Sequence, residues 1–174
     1  MSKKLVSLLL VMLLTLSMAS FALAEDTSVT VTDMHGREIT LAEPAERIVA
    51  LTPADCEILC AIGCEDMLVG RGKYCDYPES ILELPALATG DNLNLDEILA
   101  LEPQVVLMSD MNQTDEQVQM LEQHGVKVVV SETTDIQGVY AAIRMIGALM
   151  GKDAEAEAVI ADMQATFDYI AGLS

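Results

Sequence analysis

The side chains able to do chemistry in this 174-residue chain gather in polar stretches that each follow an apolar run. Residues 47–51 (RIVAL) open into Thr52-Pro53-Ala54, and residues 67–70 (MLVG) into Arg71-Gly72-Lys73-Tyr74-Cys75-Asp76-Tyr77-Pro78. Residues 104–108 (QVVLM) open into Ser109-Asp110-Met111-Asn112. Together these stretches offer two hydroxyls (Thr52, Ser109), an amide (Asn112), two cations (Arg71, Lys73), the phenol ring of Tyr74 and the rigid Pro53. Such groups hold a small molecule by hydrogen bonds, charge and apolar area. They do not supply a nucleophile with its base: there is no Gly-rich phosphate loop, no Ser-His-Asp order and no nucleophile elbow. Catalysis has no candidate residues, and nothing in the pattern calls for a resident cofactor.

The cysteines invite a metal reading, because Cys56, Cys60 and Cys64 are spaced by four. Spacing alone does not support it. Gly63 ends the helix on which the first two lie, so Cys64 leaves their line, and Cys60 sits in an apolar run where a free thiol acts as a small hydrophobe. Four cysteines in an exported protein allow one or two disulfides, and Cys75 lies near a strand end as Cys56 does, but the pairing is left open by sequence. His35 reads as a turn residue and His124 as the last turn of a helix, neither with a second ligand at metal spacing.

The elements that position the polar stretches alternate between strand and helix. Residues 29–32 and 37–41 alternate apolar and polar around the turn Asp33-Met34-His35-Gly36, which predicts an N-terminal β-hairpin. Thr52, Pro53, Asp55 and Glu57 predict a helix start, with Gly63 as its end. Asn94 with Asp96 and Glu97 predicts a second helix, stopped by Pro103, and Thr114 with Gln117 a third, closed by Gly125 before a buried strand at 126–130. From Asp135 a helical pattern runs to Met150 and breaks at Gly151. A second long amphipathic stretch begins at Asp153, with Val159, Ile160, Met163, Phe167 and Ile170 expected inward. The fold class is α/β: a Rossmann-like lobe with a mostly parallel sheet, an N-terminal hairpin and the start of a further long helix. In such sheets ligands sit outside the carboxyl ends of the strands, which makes the three polar stretches one candidate cleft.

The start of the chain bounds its location. Lys3 and Lys4 precede an apolar run to about Leu16, and Ala22-Leu23-Ala24 places small residues at −3 and −1 of a cleavage point, which predicts a signal peptide at 1–24 and export to the periplasm, extracellular space or cell surface. That run is shorter than a membrane span, and nothing later is long and apolar enough to be one, so the protein is not itself membrane-spanning. No cysteine near Ala24 offers a lipid attachment site. Loss of Lys3 and Lys4 takes the net charge from −19 to −21. That charge argues against nucleic acid or anionic lipid as partner and suits docking on a basic surface.

The ordered set TVTDMHGREITL, RIVALTPADCEILCAIGCEDMLVG, YCDYP, NLDEILALEPQVVLMS, HGVKVVV and IRMIGALMGKDAEAEAVIADM resembles the helical-backbone substrate-binding proteins of ATP-driven importers for ferric siderophores, haem and cobalamin. The resemblance covers nearly all of residues 29–174. It implies two α/β lobes joined by a long helix, with residues 25–151 as the N-terminal ligand-binding lobe, 152–174 as the start of the interlobe helix, and the second lobe absent. It further implies a metal-chelate small molecule as ligand, held by Thr52, Pro53, Arg71, Lys73, Tyr74, Ser109 and Asn112, and an ABC permease dimer in the membrane as partner. Asp96 occupies the place whose acidic residue pairs with permease arginines, and Tyr74 the place whose ring borders the ligand. With Arg71 and Lys73 beside it, Tyr74 leans the expectation toward ferric siderophores over cobalamin. The alternatives are a truncated single-lobe accessory protein with weak ligand binding, and an exported cysteine-based metalloprotein.

Overall fold

The computed structural model describes residues 27–109 and 114–173; the expected signal peptide and Asn112 lie outside them. Val29–Thr32 (β1) and Glu38–Leu41 (β2) pair antiparallel, Val31 facing Ile39 and Thr30 facing Thr40. Gly36, at φ 75°, closes the turn as a residue without a Cβ can. The turn is pinned to the rest of the molecule through Asp33. Its carboxylate accepts the backbone N–H groups of His35 (3.0 Å), Arg37 (2.9 Å) and Val130 (3.2 Å) and pairs with the Arg37 guanidinium at 2.8 Å. Burial pushes this carboxyl up, but the hydrogen bonds from Arg37 and Val130 outweigh it and hold Asp33 below its usual range.

Ile48–Ala50 (β3), Leu68–Gly72 (β4), Ala86–Leu87 (β5), Val105–Met108 (β6) and Lys127–Val130 (β7) form a parallel sheet in the order β5-β4-β3-β6-β7. The chain winds outward from β3 to β5, then crosses to β6 on the other side of β3. The switch in winding direction therefore falls between β3 and β6. Helices Pro53–Ala61 (α1), Leu95–Leu99 (α2), Asp115–Gln123 (α3), Ile136–Leu149 (α4) and Asp153–Ala171 (α5) complete the layers. Their starts are those the capping residues predict: Thr52, Asn94 and Asp135 each accept a first-turn N–H, and Thr114 with Gln117 makes a reciprocal capping box.

Successive strand residues serve two cores. Ile48, Ala50, Val105, Leu107 and Val129 pack with the hairpin, α1, α4 and α5, while Val49, Leu51, Val106, Met108 and Val128 pack under α2 and α3. Burial on both faces explains why these strands read as continuous apolar runs. α4 and α5 approach closely at Gly147, where an added Cβ would lie 2.5 Å from the Ala156 Cβ. The inward expectation for α5 holds for Ile160, and for Val159 and Met163 in part, but Phe167 and Ile170 are exposed. Phe167 faces Ile136, Gln137 and Tyr140 of α4 across an open cleft, which leaves the ring uncovered. Among the described residues no helix is long and apolar enough to cross a membrane.

Candidate functional site

Strand register decides whether the three polar stretches meet. Ala50 pairs with Arg71 on one side and Leu107 on the other, and Leu107 pairs with Val129. Two residues further along each parallel strand, Lys73, Thr52, Ser109 and Ser131 come level in one row across the carboxyl end of the sheet. Backbone bonds carry the ladder to this edge: Lys73 N–H donates to Leu87 O at 2.8 Å, Leu51 N–H to Leu107 O at 3.0 Å, and Ser131 N–H to Met108 O at 2.9 Å. Thr52 and Ser109 flank the switch point, where a doubly wound sheet opens a crevice between its diverging loops. Gly72 lets the β4 edge close on β3, because a Cβ there would collide with Leu51 O.

At the centre of the row a buried acid underlies the rim. The Thr52 hydroxyl donates to Asp55 Oδ2 at 2.5 Å and accepts the Asp55 N–H at 3.3 Å. Thr52 thus reaches the rim by position, while its hydroxyl faces inward as a helix cap. Asp55 is fully buried, and Oδ1 has no well-aligned hydrogen bond, although the Ser131 hydroxyl stands close enough to favour its ionised form. Burial dominates and raises the carboxyl to about 6, against the Thr52 and Ser131 hydroxyls, with Glu132 adding to the rise. Sequence reasoning treated Asp55 as a first-turn acid and missed Ser131. Ser131 had a signal, since it follows the apolar β7 as Ser109 follows β6.

The Tyr74 loop corrects one expectation. Arg71 is not a solvated cation facing ligand: it is 8 % exposed, and its guanidinium donates to Ile81 O (3.0 Å), Cys75 O (2.9 Å) and Leu82 O (3.2 Å). It sits on β4 with its fork turned into the following loop, where carbonyls that no strand satisfies need donors. Lys73 and Tyr74, by contrast, project outward, with the ammonium 4.8 Å from the ring centroid and the ring 65 % exposed. Pro53 is exposed at the start of α1, and Ser109 is half-buried at the end of β6.

Asp96 lies in the first turn of α2, its N–H held by Asn94 Oδ1 at 3.1 Å and its side chain exposed. Asp91 and Asp96 line a shallow depression there, so the surface is acidic. A cleft of about 490 Å³ lies elsewhere: Ile136, Gln137, Tyr140, Gln164, Phe167 and Asp168 line it between α4 and α5. None of the described rim residues borders it. Among the described residues no three His, Cys, Asp or Glu side chains stand together to hold a metal. The four cysteines are free thiols, of which Cys56, Cys64 and Cys75 are buried.

Comparison with known proteins agrees with this fold. The family model described as periplasmic binding protein matches residues 48–171. A substrate-binding lipoprotein of an ABC transporter from Bacillus subtilis is 29% identical over 78% of this chain and 44% of its own length. A vitamin B12-binding protein of Vibrio campbellii is 26% identical over 72% and 46%. Among solved structures, the periplasmic vitamin B12 binding protein of Vibrio cholerae superposes with a TM-score of 0.65 at 27% identity, over 72% of this chain and 49% of that one. A periplasmic haem binding protein from Pseudomonas aeruginosa, at 23% identity, shares the fold with a TM-score of 0.70 over 74% and 46%. The chain spans about half the length of the relatives it matches.

Proposed function

This chain belongs to the periplasmic binding protein family, and we propose that it forms the first ligand-binding lobe of an ABC importer's extracytoplasmic substrate-binding component. The observation that carries the reading is the register row: Lys73, Thr52 and Ser109 level at the carboxyl end of one parallel sheet, with Tyr74 projecting beside them. A rim of this kind would present half of a jaw, consistent with coverage of about half of each relative. A second lobe, linked through α5, would supply the other half. The family's relatives are binding proteins, and the rim offers recognition without a reacting pair.

The proposed ligand is a bulky metal-centred macrocycle, a corrinoid or haem, as the names of the relatives suggest. A ferric siderophore is the weaker choice once Arg71 is withdrawn, because the anion-attracting pair is then Lys73 alone. Tyr74 gives such a ligand a flat apolar face and a hydroxyl. The test is a titration with cobalamin, haem and a ferric catecholate, followed by ligand absorbance because the chain has no tryptophan. Saturable binding of a macrocycle that weakens roughly tenfold in Tyr74→Ala, as loss of one aromatic contact implies, supports the reading. Failure of every ligand, both with this chain and with a chain carrying the second lobe, would overturn it.

A further inference from the structure

Two of the four thiols meet beneath the ligand rim. Cys56 lies in the first turn of α1 and Cys75 in the loop after β4, yet both sulfurs point at one carbonyl oxygen, that of Ala50 at the end of β3, at 3.6 and 3.9 Å. The two thiols also stand close enough to influence each other's ionisation. Both residues are fully buried, and the segments that carry them are held independently: Thr52 caps α1, and Arg71 binds the Cys75 carbonyl. Cys60 is half-buried one turn further along α1, and Cys64 lies just beyond the helix end.

We propose that Cys56 and Cys75 form a disulfide in the exported protein, stapling the Lys73–Tyr74–Cys75 segment to the first turn of α1. The inference rests on the extracytoplasmic placement proposed above, since such a bond persists in an oxidising compartment. The oxidant is a disulfide, either of a thiol–disulfide oxidoreductase or of a small thiol. The Cys75 thiolate attacks it to give a mixed disulfide and releases one thiolate. The Cys56 thiolate then attacks the Cys75 sulfur and releases the second. The protons lost by the two cysteines end on the two released thiols, and the electron pair ends on the oxidant. Cys75 is the better attacking thiol, because the neighbouring Cys56 thiol favours its ionised form, whereas that neighbour and burial push Cys56 up. Both sulfurs are closed off in the folded chain, so exchange proceeds during folding or through opening of the loop. The staple would hold the exposed Tyr74 ring against the rim without a contact from the ring itself.

The test is a non-reducing peptide map of the protein purified from an oxidising compartment, beside purified reduced protein incubated with glutathione disulfide. The expected result is one peptide joining Cys56 to Cys75, with Cys60 and Cys64 alkylated after unfolding. Reduction should lower the melting midpoint by roughly 5–10 °C, as opening a loop of this length implies, and should speed amide exchange across residues 73–76. Four alkylated thiols in both samples, or a link between other cysteines, would overturn the inference. Free thiols in a chain shown to be exported would sink the disulfide and leave the placement intact. A chain kept in the cytoplasm that links Cys56 to Cys75 on incubation would sustain the disulfide and sink the placement. The map is read on the unaltered chain, so it does not depend on a variant that folds.

Discussion

The Arg71 guanidinium donates to the Cys75 carbonyl at 2.9 Å, so a cation at the start of the Tyr74 loop is that loop's internal brace. Its other donors reach Ile81 O and Leu82 O, which draws residues 71–82 into one closed unit. A lysine cannot reproduce the three-carbonyl fork. Arg71→Lys should therefore destabilise the fold by about 1–3 kcal/mol, the cost of leaving the buried Cys75 carbonyl without its donor. Thermal denaturation reads this directly, and a variant melting with the parent would return Arg71 to the surface.

Asp55 gives the stability a pH dependence of unusual sign for an acid. Its carboxyl is raised from 3.8 to about 6 in the folded state, so between those values the folded chain holds a proton that the unfolded chain has released. The stabilisation is complete below the unfolded value and is lost as pH rises through the folded one, a term of about 3 kcal/mol. Asp55→Asn keeps an acceptor for the Thr52 hydroxyl and removes the titration. Denaturant unfolding from pH 4 to 8 should show the parent losing this increment and the variant keeping a flatter profile.

Asp33 behaves in the opposite way. Its carboxyl is held below 3.8, so its contribution is present at neutral pH and is lost as pH falls through the folded value. Because Asp33 binds the Val130 N–H and Arg37 reaches Val128 O at 3.2 Å, the hairpin is docked on β7 through this acid. Asp33→Asn should cost about 2–3 kcal/mol. Amide exchange across residues 29–41 should then rise before that of the sheet, and equal protection throughout would show the hairpin held by its apolar contacts instead.

The elements were legible where local chemistry fixes them. Thr52, Asn94, Thr114 and Asp135 start helices because each side chain accepts a first-turn N–H, a bond that depends on the next few residues alone. The rim was legible too, since polar residues after apolar parallel strands must share one edge. What the sequence could not show is direction within the rim. Arg71 and Lys73 are two residues apart, and only the fold turns one into the carbonyls of residues 75–82 and leaves the other on the Tyr74 ring. Asp55 likewise reads as an ordinary first-turn acid until β7 brings Ser131 beside it. The exposure of Phe167 depends on the cleft between it and the start of α4, which the periodicity of α5 does not contain.

Asp96 offers the test of the proposed permease contact. Its backbone is fixed by Asn94, while its side chain stays exposed on an acidic surface beside Asp91. A carboxylate so placed meets an arginine by a charge-assisted pair whose loss slows association and weakens binding. Asp96→Lys should reduce association with permease-containing vesicles roughly tenfold or more, since it replaces attraction by repulsion. Asp96→Asn, which keeps the shape and removes the charge, should fall between the two, and added salt should narrow the gap. Ligand affinity should not change in either variant, because Asp96 lies beyond β5, outside the Lys73–Thr52–Ser109 row. Equal association of parent and Asp96→Lys would remove this residue from the docking surface.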